Sequence, residues 1–167
     1  MALKIRAATK EDIHSMVKLR LATLTNDEVR GFSAPEFAFT SSTAKLRGVW
    51  GQENKLKDGF EVFIGEAKSR LVGYIMFKTE GNFGYIDDIV VDKQEQGKGI
   101  GKALVGYVED LAKSKGCSIM KTDTTEDANG VAWRSYGFWI RMGYSDIGER
   151  LSTGFSFKEI PFIKRLK

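Results

Sequence analysis

The chain has 167 residues, of which 42% are hydrophobic and 29% are charged, and its 26 Lys and Arg outnumber its 22 Asp and Glu by four. This length and balance fit one folded domain over residues 1–167 and exclude collagen, coiled coil and extended disorder. The mild positive excess suits an anionic small molecule and falls short of a nucleic-acid-binding surface, so no nucleic-acid partner is expected.

No apolar run approaches the roughly 18 residues needed to span a bilayer. The first residues also lack the apolar block of a signal peptide. Cys117 is the only cysteine, which rules out an internal disulfide and fits a reducing compartment. No Cys/His spacing indicates a metal site. We therefore expect a cytoplasmic protein with no membrane partner and no bound metal.

The first third of the chain predicts a strand and two helices. Alternating apolar residues over 3–7 predict the strand, and Thr9 before Asp12 marks the start of the first helix. Residues 30–42 mix Gly, Pro, Ser and Thr with three phenylalanines, which either close the core or contact a substrate. The second helix is expected over residues 42–57.

Three strands and a helix form the centre of the predicted fold. Residues 61–67, 71–77 and 85–91 read as consecutive strands joined by short turns, which makes an antiparallel meander. Apolar residues recur at helical spacing over 100–111, and Gly116 supplies the stop.

The remaining pattern predicts a strand, a helix and two final strands. They cover residues 118–122, 128–141, 144–147 and 155–164. The element order along the chain is therefore β-α-α-β-β-β-α-β-α-β-β, without an internal repeat.

A glycine-rich turn joins the third strand of the meander to the helix that follows. A helix N-terminus presents unpaired N–H groups and the positive end of the helix dipole, which attract phosphate if no Cβ blocks its approach. Gln96 can orient the turn through side-chain hydrogen bonds. The missing Cβ atoms and the positive charge come from Gly97, Gly99, Gly101, Lys98 and Lys102.

This turn fits two other phosphate-binding motifs poorly. The dinucleotide fingerprint needs Gly or Ala at position 102, where Lys stands, and the P-loop needs a Gly-Lys-Ser/Thr triplet that is missing. The mismatch weakens a Rossmann interpretation and excludes the P-loop more firmly. Coenzyme A remains as the phosphate ligand.

Gln96, Gly99 and Gly101 resemble the GNAT N-acetyltransferase superfamily, whose signature is Gln or Arg, two residues, Gly, one residue, then Gly or Ala. The apolar strand that ends at Val91 stands where that family places it, and the element order matches along nearly the whole chain. The resemblance implies an α/β (α+β) fold with a mixed, mostly antiparallel sheet of about seven strands and four flanking helices. Two parallel strands would splay apart to form the coenzyme A cleft.

The resemblance also implies where acetyl-CoA, the cosubstrate, would lie. Its pantetheine would follow the strand Ile89, Val90 and Val91 and bond the exposed backbone of the two outer residues. Asn129 would contact pantetheine or only cap the helix that follows it. The pyrophosphate would sit beside Gln96 on the amides of Gly97, Lys98, Gly99, Ile100, Gly101 and Lys102.

Direct attack on the thioester needs a neutral amine, so a carboxylate must take a proton from the ammonium form of the acceptor. Asp87 and Asp88 are the candidates, and in a regular strand they point to opposite faces. The resemblance favours Asp87, and the alternative is a solvated or salt-bridged pair.

The leaving thiolate needs a proton donor, which many members of the family supply from a tyrosine. Here Trp139 stands at that position and cannot act as an acid, so either Tyr136 or water takes the role.

The sequence thus predicts an N-acetyltransferase that acetylates a primary amine of a polyamine, an amino acid, another small amine or a protein N-terminus or lysine. A non-catalytic acyl-CoA sensor and a nucleotide-binding regulator are the alternatives. Residues 25–58 and the hairpin near 151–154 should set the acceptor specificity. The sequence does not fix the oligomeric state, for which a homodimer is the common default.

Overall fold

The computed structural model describes residues 2–23, 59–154 and 156–167, and the elements below are numbered within them. The strands are β1 Lys4–Ala7, β2 Phe60–Ala67, β3 Arg70–Glu80, β4 Phe83–Val91, β5 Ile119–Glu126, β6 Ser145–Asp146, β7 Leu151–Ser152 and β8 Lys158–Arg165. The α-helices are α1 Ile13–Thr23, α2 Ile100–Ser114 and α3 Ser135–Arg141. Short 3-10 turns precede α1 and α2 at Lys10–Asp12 and Lys93–Glu95.

All eight strands join one sheet in the order β1-β2-β3-β4-β5-β8-β6, with β7 also paired to β8. Every pairing is antiparallel except β4 with β5, which is parallel. The meander β2-β3-β4 turns first at Lys68 and Ser69, which both have positive φ (52° and 57°), as a two-residue turn between right-twisted strands requires. The predicted mixed, mostly antiparallel sheet is confirmed.

The parallel pair separates soon after it forms. β4 and β5 pair only from Phe83 with Ile119 to Tyr85 with Lys121. The Thr122 hydroxyl then donates to the Ile86 carbonyl at 3.0 Å. Beyond this point β4 continues along β3 and β5 continues along β8. The sheet therefore opens toward the carboxyl ends of the two parallel strands, as the resemblance implied.

The sheet separates two apolar cores. One lies under α1 and contains Met16, Val17, Leu19, Val62, Ile64, Tyr74, Met76 and Val90. The larger core lies on the opposite face, beneath α2 and α3, and its most buried members include Ile75, Phe77, Leu104, Val105, Val108, Met120, Trp139 and Ile160. Because neighbouring residues of a strand point to opposite faces, β3 and β4 contribute to both cores.

Gly73 allows α2 to pack closely on β3. A Cβ at this position would lie 2.8 Å from the Val90 carbonyl oxygen and 3.2 Å from Leu104 Cδ1. The backbone oxygen cannot move without disturbing the β3–β4 ladder, so glycine is required here. This contact sets the distance between α2 and strands β3 and β4.

Several predicted elements have different limits in the structure, among them β3, which extends to Glu80, and β5, which extends to Glu126. The helix expected over 128–141 begins only at Ser135, because the Asp127 carboxylate accepts the N–H groups of Asn129 (2.8 Å) and Val131 (2.9 Å) and holds a turn. The last strand begins at Lys158, not at 155, and β7 is an eighth strand. The second predicted helix (42–57) and the loop 30–42 lie outside the described residues.

Within the described ranges, no helix is both long and apolar enough to cross a bilayer.

Candidate active site

A cleft of about 740 Å³ lies at the end of β4, beyond the point where β4 and β5 have separated. The cleft runs from the end of α1, past the end of β4 and the glycine turn, to a groove between α2 and α3. Most of the predicted cofactor residues line it: Ile89, Val91, Gln96, Gly97, Gly99, Ile100, Gly101 and Lys102. The predicted residues Asp87, Val90, Lys98, Asn129 and Tyr136 are not among the described residues of its lining.

The glycine turn is held in place by Gln96 and opens directly into the cleft. The Gln96 side-chain amide donates to the Val91 carbonyl at 3.0 Å, so it ties the turn to the end of β4; the sequence predicted a side-chain hydrogen bond from Gln96 but not this partner. Gly97 and Gly99 have φ of +80° and +84°, and no described atom lies within 4 Å of the Cβ that either would carry. Only glycine adopts this backbone at little cost. The N-terminus of α2 is therefore open to an anion.

Lys98 is directed to a carboxylate beside the turn. Its ammonium group bonds the buried Glu95 carboxylate at 2.9 Å, and Arg70 bonds the other Glu95 oxygen at 3.0 Å. Arg70 also bonds Asp92 at 2.6 Å. The Lys98 charge is thus partly balanced, and Lys102 is the lysine of the turn that lines the cleft.

Gly101 has a packing role that sequence reasoning did not identify. A Cβ at Gly101 would lie 3.2 Å and 3.3 Å from two ring carbons of Phe138 and 3.7 Å from Val91 Cγ2. The missing side chain therefore lets α3 approach the first turn of α2. Gly97 and Gly99, and not Gly101, provide the open approach to the turn.

Alternate side chains at the end of β4 face the cleft. Ile89 and Val91 line it, whereas the Val90 side chain is buried in the core under α1. The Asp92 N–H donates to the Val72 carbonyl of β3 at 2.9 Å, so the backbone groups of the residue before it point the other way, toward the gap. The Val91 carbonyl on that side accepts the Gln96 bond.

The two adjacent carboxylates lie at a β-bulge. Met76 pairs with Asp88 and Phe77 pairs with Ile86, which leaves Asp87 as the extra residue of β4. The expectation of regular alternation at this pair was wrong, because a bulge interrupts the pleat. Asp88 accepts the Tyr74 hydroxyl at 2.9 Å and lies 3.6 Å from Arg20.

The charge of Asp87 acts on two nearby tyrosines, Tyr74, which is buried, and Tyr85, which is half-buried. Burial raises the pKa of Tyr85, and the negative charges of Asp123, to which its hydroxyl donates, and of Asp87 raise it further. Burial and the Asp88 charge likewise raise the pKa of Tyr74. One Asp87 carboxylate oxygen is buried. The bulge therefore carries a partly buried acid near the point where the two parallel strands separate.

The tyrosine and tryptophan of α3 lie away from the cleft lining. The Tyr136 hydroxyl donates to Asp146 at 3.1 Å, and this bond raises the pKa of the hydroxyl. Trp139 is 2% exposed and stacks edge-on against Tyr144 in the larger core. Asn129 is exposed in the loop before α3 and does not cap the helix, which follows Arg134. Its contact with pantetheine stays a prediction.

Several lining residues were missed because they come from surfaces that meet only in the fold. From α3 and the residues flanking it come Arg134, Ser135, Phe138, Arg141 and Met142, and from α2 come Gly106 and Glu109. Arg20, Thr23, Glu95 and Lys164 complete the described lining. Two signals in the sequence could have identified the members from α2 and α3. They are the helical spacing of these residues and Gly106, a glycine in the middle of a helix.

A buried ionic cluster closes the inner wall of this cleft. Glu109 accepts the Tyr144 hydroxyl at 2.9 Å and binds the Lys164 ammonium through both oxygens at 2.9 Å. Burial, followed by the Glu109 charge, raises the pKa of Tyr144. The cluster joins α2 to β8 and to the segment that follows α3.

This geometry agrees with a match to a family model described as acetyltransferase (GNAT) family, which covers residues 22–138. The chain belongs to the GNAT family of acetyltransferases. The resemblance and the predicted enzyme class are thereby confirmed.

Individual GNAT proteins resemble this chain over most of its length. Glucosamine 6-phosphate N-acetyltransferase of Trypanosoma brucei brucei is 27% identical over 149 residues, which cover 85% of this chain and 88% of the relative. The structure of PaiA N-acetyltransferase from Thermoplasma acidophilum in complex with coenzyme A superposes with a TM-score of 0.75, 19% identity and 99% coverage of both chains.

An aminoglycoside 6′-N-acetyltransferase complexed with coenzyme A gives a TM-score of 0.71 at 17% identity and covers 98% of this chain and 97% of that chain. At these identities the structural similarities confirm the GNAT fold.

Proposed function

We propose that this GNAT protein transfers the acetyl group of acetyl-CoA to a primary amine by direct attack in a ternary complex. The observation that carries the proposal is the gap between β4 and β5, which leads directly to the open N-terminus of α2. A thioester in the gap and a pyrophosphate on the turn would be joined by one extended pantetheine chain. The relatives crystallised with coenzyme A support this cosubstrate.

The cosubstrate would be held mainly by backbone groups. Pyrophosphate oxygens would accept N–H groups from Gly97 to Lys102, where Gly97 and Gly99 leave the approach open. Pantetheine would follow Ile89 and Val91 along the unpaired edge of β4. Because backbone donors carry this recognition, few side chains need to be specified by the sequence.

We infer that Asp87 receives the proton of the acceptor ammonium group, directly or through water. The neutral nitrogen then attacks the thioester carbonyl carbon, and the C–S bond breaks as the tetrahedral intermediate collapses. Asp88 accepts the Tyr74 hydroxyl and lies 3.6 Å from Arg20, so it links β4 to β3 and to α1. The proposal chooses Asp87 because the resemblance favours it and because one of its carboxylate oxygens is buried at the bulge, near the point where β4 and β5 separate.

Water is the better-supported donor to the departing thiolate. Tyr136 remains the alternative, but its proton is directed to Asp146 and its raised pKa makes it a weaker acid. Tyr136→Phe should therefore keep its turnover rate within about threefold of wild type, because no proton transfer of general acid catalysis would be lost. If this variant instead turns over about a hundredfold more slowly, which is the lower bound for such catalysis, Tyr136 regains the role.

The proposal is tested by the release of free CoA thiol from acetyl-CoA with a panel of amines. Asp87→Asn should slow turnover by about a hundredfold or more, because the acceptor of the ammonium proton would be lost. Its affinity for CoA, measured by calorimetry, should match that of the wild type. Equal turnover rates for the two proteins would contradict the role of Asp87.

The panel should begin with acceptors that carry both an amine and an anionic group. Glucosamine 6-phosphate is the acceptor in the name of the relative from Trypanosoma brucei brucei, and three arginines, Arg20, Arg134 and Arg141, are among the described residues that line the cleft here. Polyamines, amino acids and peptides with a free N-terminus or lysine complete the panel. The hairpin near 151–154 borders β8, and residues 25–58 are the other proposed source of specificity.

A non-catalytic acyl-CoA sensor is a second candidate. It is favoured by the positions of Tyr136 and Trp139, which place neither ring in the described lining of the cleft. A sensor would bind CoA and release no thiol with any acceptor. Turnover with one amine, lost in Asp87→Asn, would exclude it.

A further inference from the structure

The sheet consists of two antiparallel halves that meet at the parallel pair. Strands β1 to β4 form one half, and β5 to β8 form the other. Among the described residues, the backbone ladder between the halves begins at Phe83 with Ile119 and ends at Tyr85 with Lys121. Because backbone pairing ends there, side-chain contacts must help to set how far β4 and β5 separate.

Two side-chain hydrogen bonds cross from one half to the other just past the last backbone pair. The Tyr85 hydroxyl donates to the Asp123 carboxylate, and the Thr122 hydroxyl donates to the Ile86 carbonyl at 3.0 Å. Tyr85 pairs with Lys121, so its ring reaches the diagonal position on β5, a distance that an aromatic side chain can span. We call these two bonds the cross-gap bonds.

The cross-gap bonds lie on opposite faces of the sheet. Met120 belongs to the larger core beneath α2 and α3, and Thr122, two residues further along β5, shares its face and is buried. Asp123 is the next residue and points to the other face, where the Tyr85 hydroxyl meets it. A single bond would act as a pivot, whereas a bond on each face resists rotation of β4 against β5.

Tyr85 also lies beside the proposed proton acceptor, because Asp87 follows it by two residues at the bulge. Burial raises the pKa of Tyr85 most, followed by the charges of Asp123 and Asp87. The phenol therefore keeps its proton and stays a donor to Asp123 throughout the neutral pH range. The cross-gap bonds thus hold β5 against the residues of β4 that lead into the bulge.

We propose that Tyr85 and Thr122 are positioning residues, whose cross-gap bonds fix the width of the gap next to Asp87. This inference rests on the proposed function, which places the thioester and the acceptor amine in that gap. A reacting pair must be held closely, and a misplacement of about 1 Å can cost about a hundredfold in rate. Loss of a cross-gap bond should therefore slow the reaction more than it weakens CoA binding, because the pyrophosphate would be held by the turn before α2.

The test measures kcat and the affinity for CoA in variants of the full chain that each lack one hydroxyl. Tyr85→Phe and Thr122→Val should each lower kcat about tenfold, while their CoA affinity, measured by calorimetry, stays within about threefold of wild type. Tyr107→Phe is the matched control, since it removes a phenol hydroxyl from α2, outside the described lining of the cleft, and should keep the wild-type kcat. All rates are measured well below the unfolding transition, so a loss of stability alone leaves kcat per folded molecule unchanged.

Conservative substitutions separate the bonds from other roles of the same side chains. Thr122→Ser keeps the hydroxyl, and Asp123→Asn keeps an oxygen that can accept the Tyr85 proton, so both should retain kcat within about threefold. Asp123→Ala should lose as much as Tyr85→Phe. The double variant of Tyr85→Phe with Asp123→Ala should lose no more than either single variant, because both remove the same bond.

The results for the single variants decide the inference. A wild-type kcat in folded Tyr85→Phe or folded Thr122→Val would overturn the role of that residue. An equal loss in Asp123→Asn and Asp123→Ala would overturn the bond as the cause, since the charge of Asp123 would then carry the effect.

Hydrogen exchange tests the cross-gap bonds without the reaction. Tyr85→Phe combined with Thr122→Val should speed the exchange of the amides at residues 83–85 and 119–121 by at least about threefold, because the short ladder would fray. Unchanged exchange would overturn the inference. No turnover by the wild type with any amine, together with faster exchange in the double variant, would instead contradict the proposed function alone.

Discussion

Glu109 provides the sharpest test of how the cleft wall is held together. This residue of α2 is 9% exposed, and its carboxylate makes three bonds of 2.9 Å, one from the Tyr144 hydroxyl and two to the Lys164 ammonium. Glu109→Ala removes all three bonds and leaves both partners in place. The Lys164 ammonium and the Tyr144 hydroxyl would then lack their acceptor in a largely buried position.

The expected cost of this substitution follows from that burial. Removing one partner of a buried ion pair costs about 3–5 kcal/mol. The Lys164 side chain is 24% exposed, so water can partly replace the lost carboxylate and the lower end of the range applies. Alanine returns less than about 0.7 kcal/mol through its helix propensity. We therefore expect Glu109→Ala to lower the free energy of unfolding by about 3 kcal/mol.

Urea denaturation followed by circular dichroism measures this change. Asp110→Ala is the matched control, because the neighbouring acid lies on the same helix and forms an exposed pair with Lys113 at 3.3 Å. That control should change stability by less than about 0.5 kcal/mol. A double-mutant cycle of Glu109→Ala with Lys164→Met should give a coupling energy of about 1–2 kcal/mol. If Glu109→Ala costs no more than Asp110→Ala, the reasoning from burial is refuted.

Three further predictions concern the glycines and the pH dependence of stability. Gly99→Ala and Gly116→Ala should each lower the free energy of unfolding by about 1 kcal/mol, because both glycines have left-handed φ of +84° and +86° with open space around them. Only Gly99→Ala should also weaken CoA binding, measured by calorimetry. An equal effect of the two substitutions on CoA affinity would contradict the proposed phosphate site at the turn. Gly73→Ala should destabilise by more than about 2 kcal/mol in urea titrations, since its Cβ would lie 2.8 Å from the Val90 carbonyl, and a neutral result would show that α2 can shift. The raised pKa of Tyr144 favours the neutral phenol in the folded state. The stability that this phenol contributes is therefore complete below its ordinary pKa of about 10 and is lost as pH rises beyond it. The free energy of unfolding should fall more steeply with rising alkaline pH in the wild type than in Tyr144→Phe.

The local elements of this protein could be predicted because their signals are local. The strand–turn–helix unit around Gln96 to Gly101 follows from apolar alternation, glycines and helical spacing between neighbouring positions. The Gln96 bond to Val91 spans only five positions, and the sequence predicted that the Gln96 side chain would orient the turn, although not through Val91. The meander and the start of α1 at Thr9 and Asp12 were predicted for the same reason, since short-range hydrogen bonds fix them.

Two predictions were wrong where local structure interrupts a regular pattern of residues. Asp127 captures two backbone N–H groups and delays α3 to Ser135, although residues 128–141 have a helical pattern. The bulge at Asp87 breaks the alternation that was assumed for the two carboxylates. Neither effect alters the composition of its segment, so a periodicity argument cannot detect it.

By itself, the sequence determined the family, most of the described elements and the glycine turn before α2, because each depends on neighbours along the chain. Only the tertiary structure decided which residues share the cleft. The contact of Gly101 with Phe138 and the cluster around Glu109 each join segments that are far apart in the sequence. Such contacts depend on how the helices pack on the sheet where β4 and β5 separate. That packing in turn depends on burying both faces of the sheet at once.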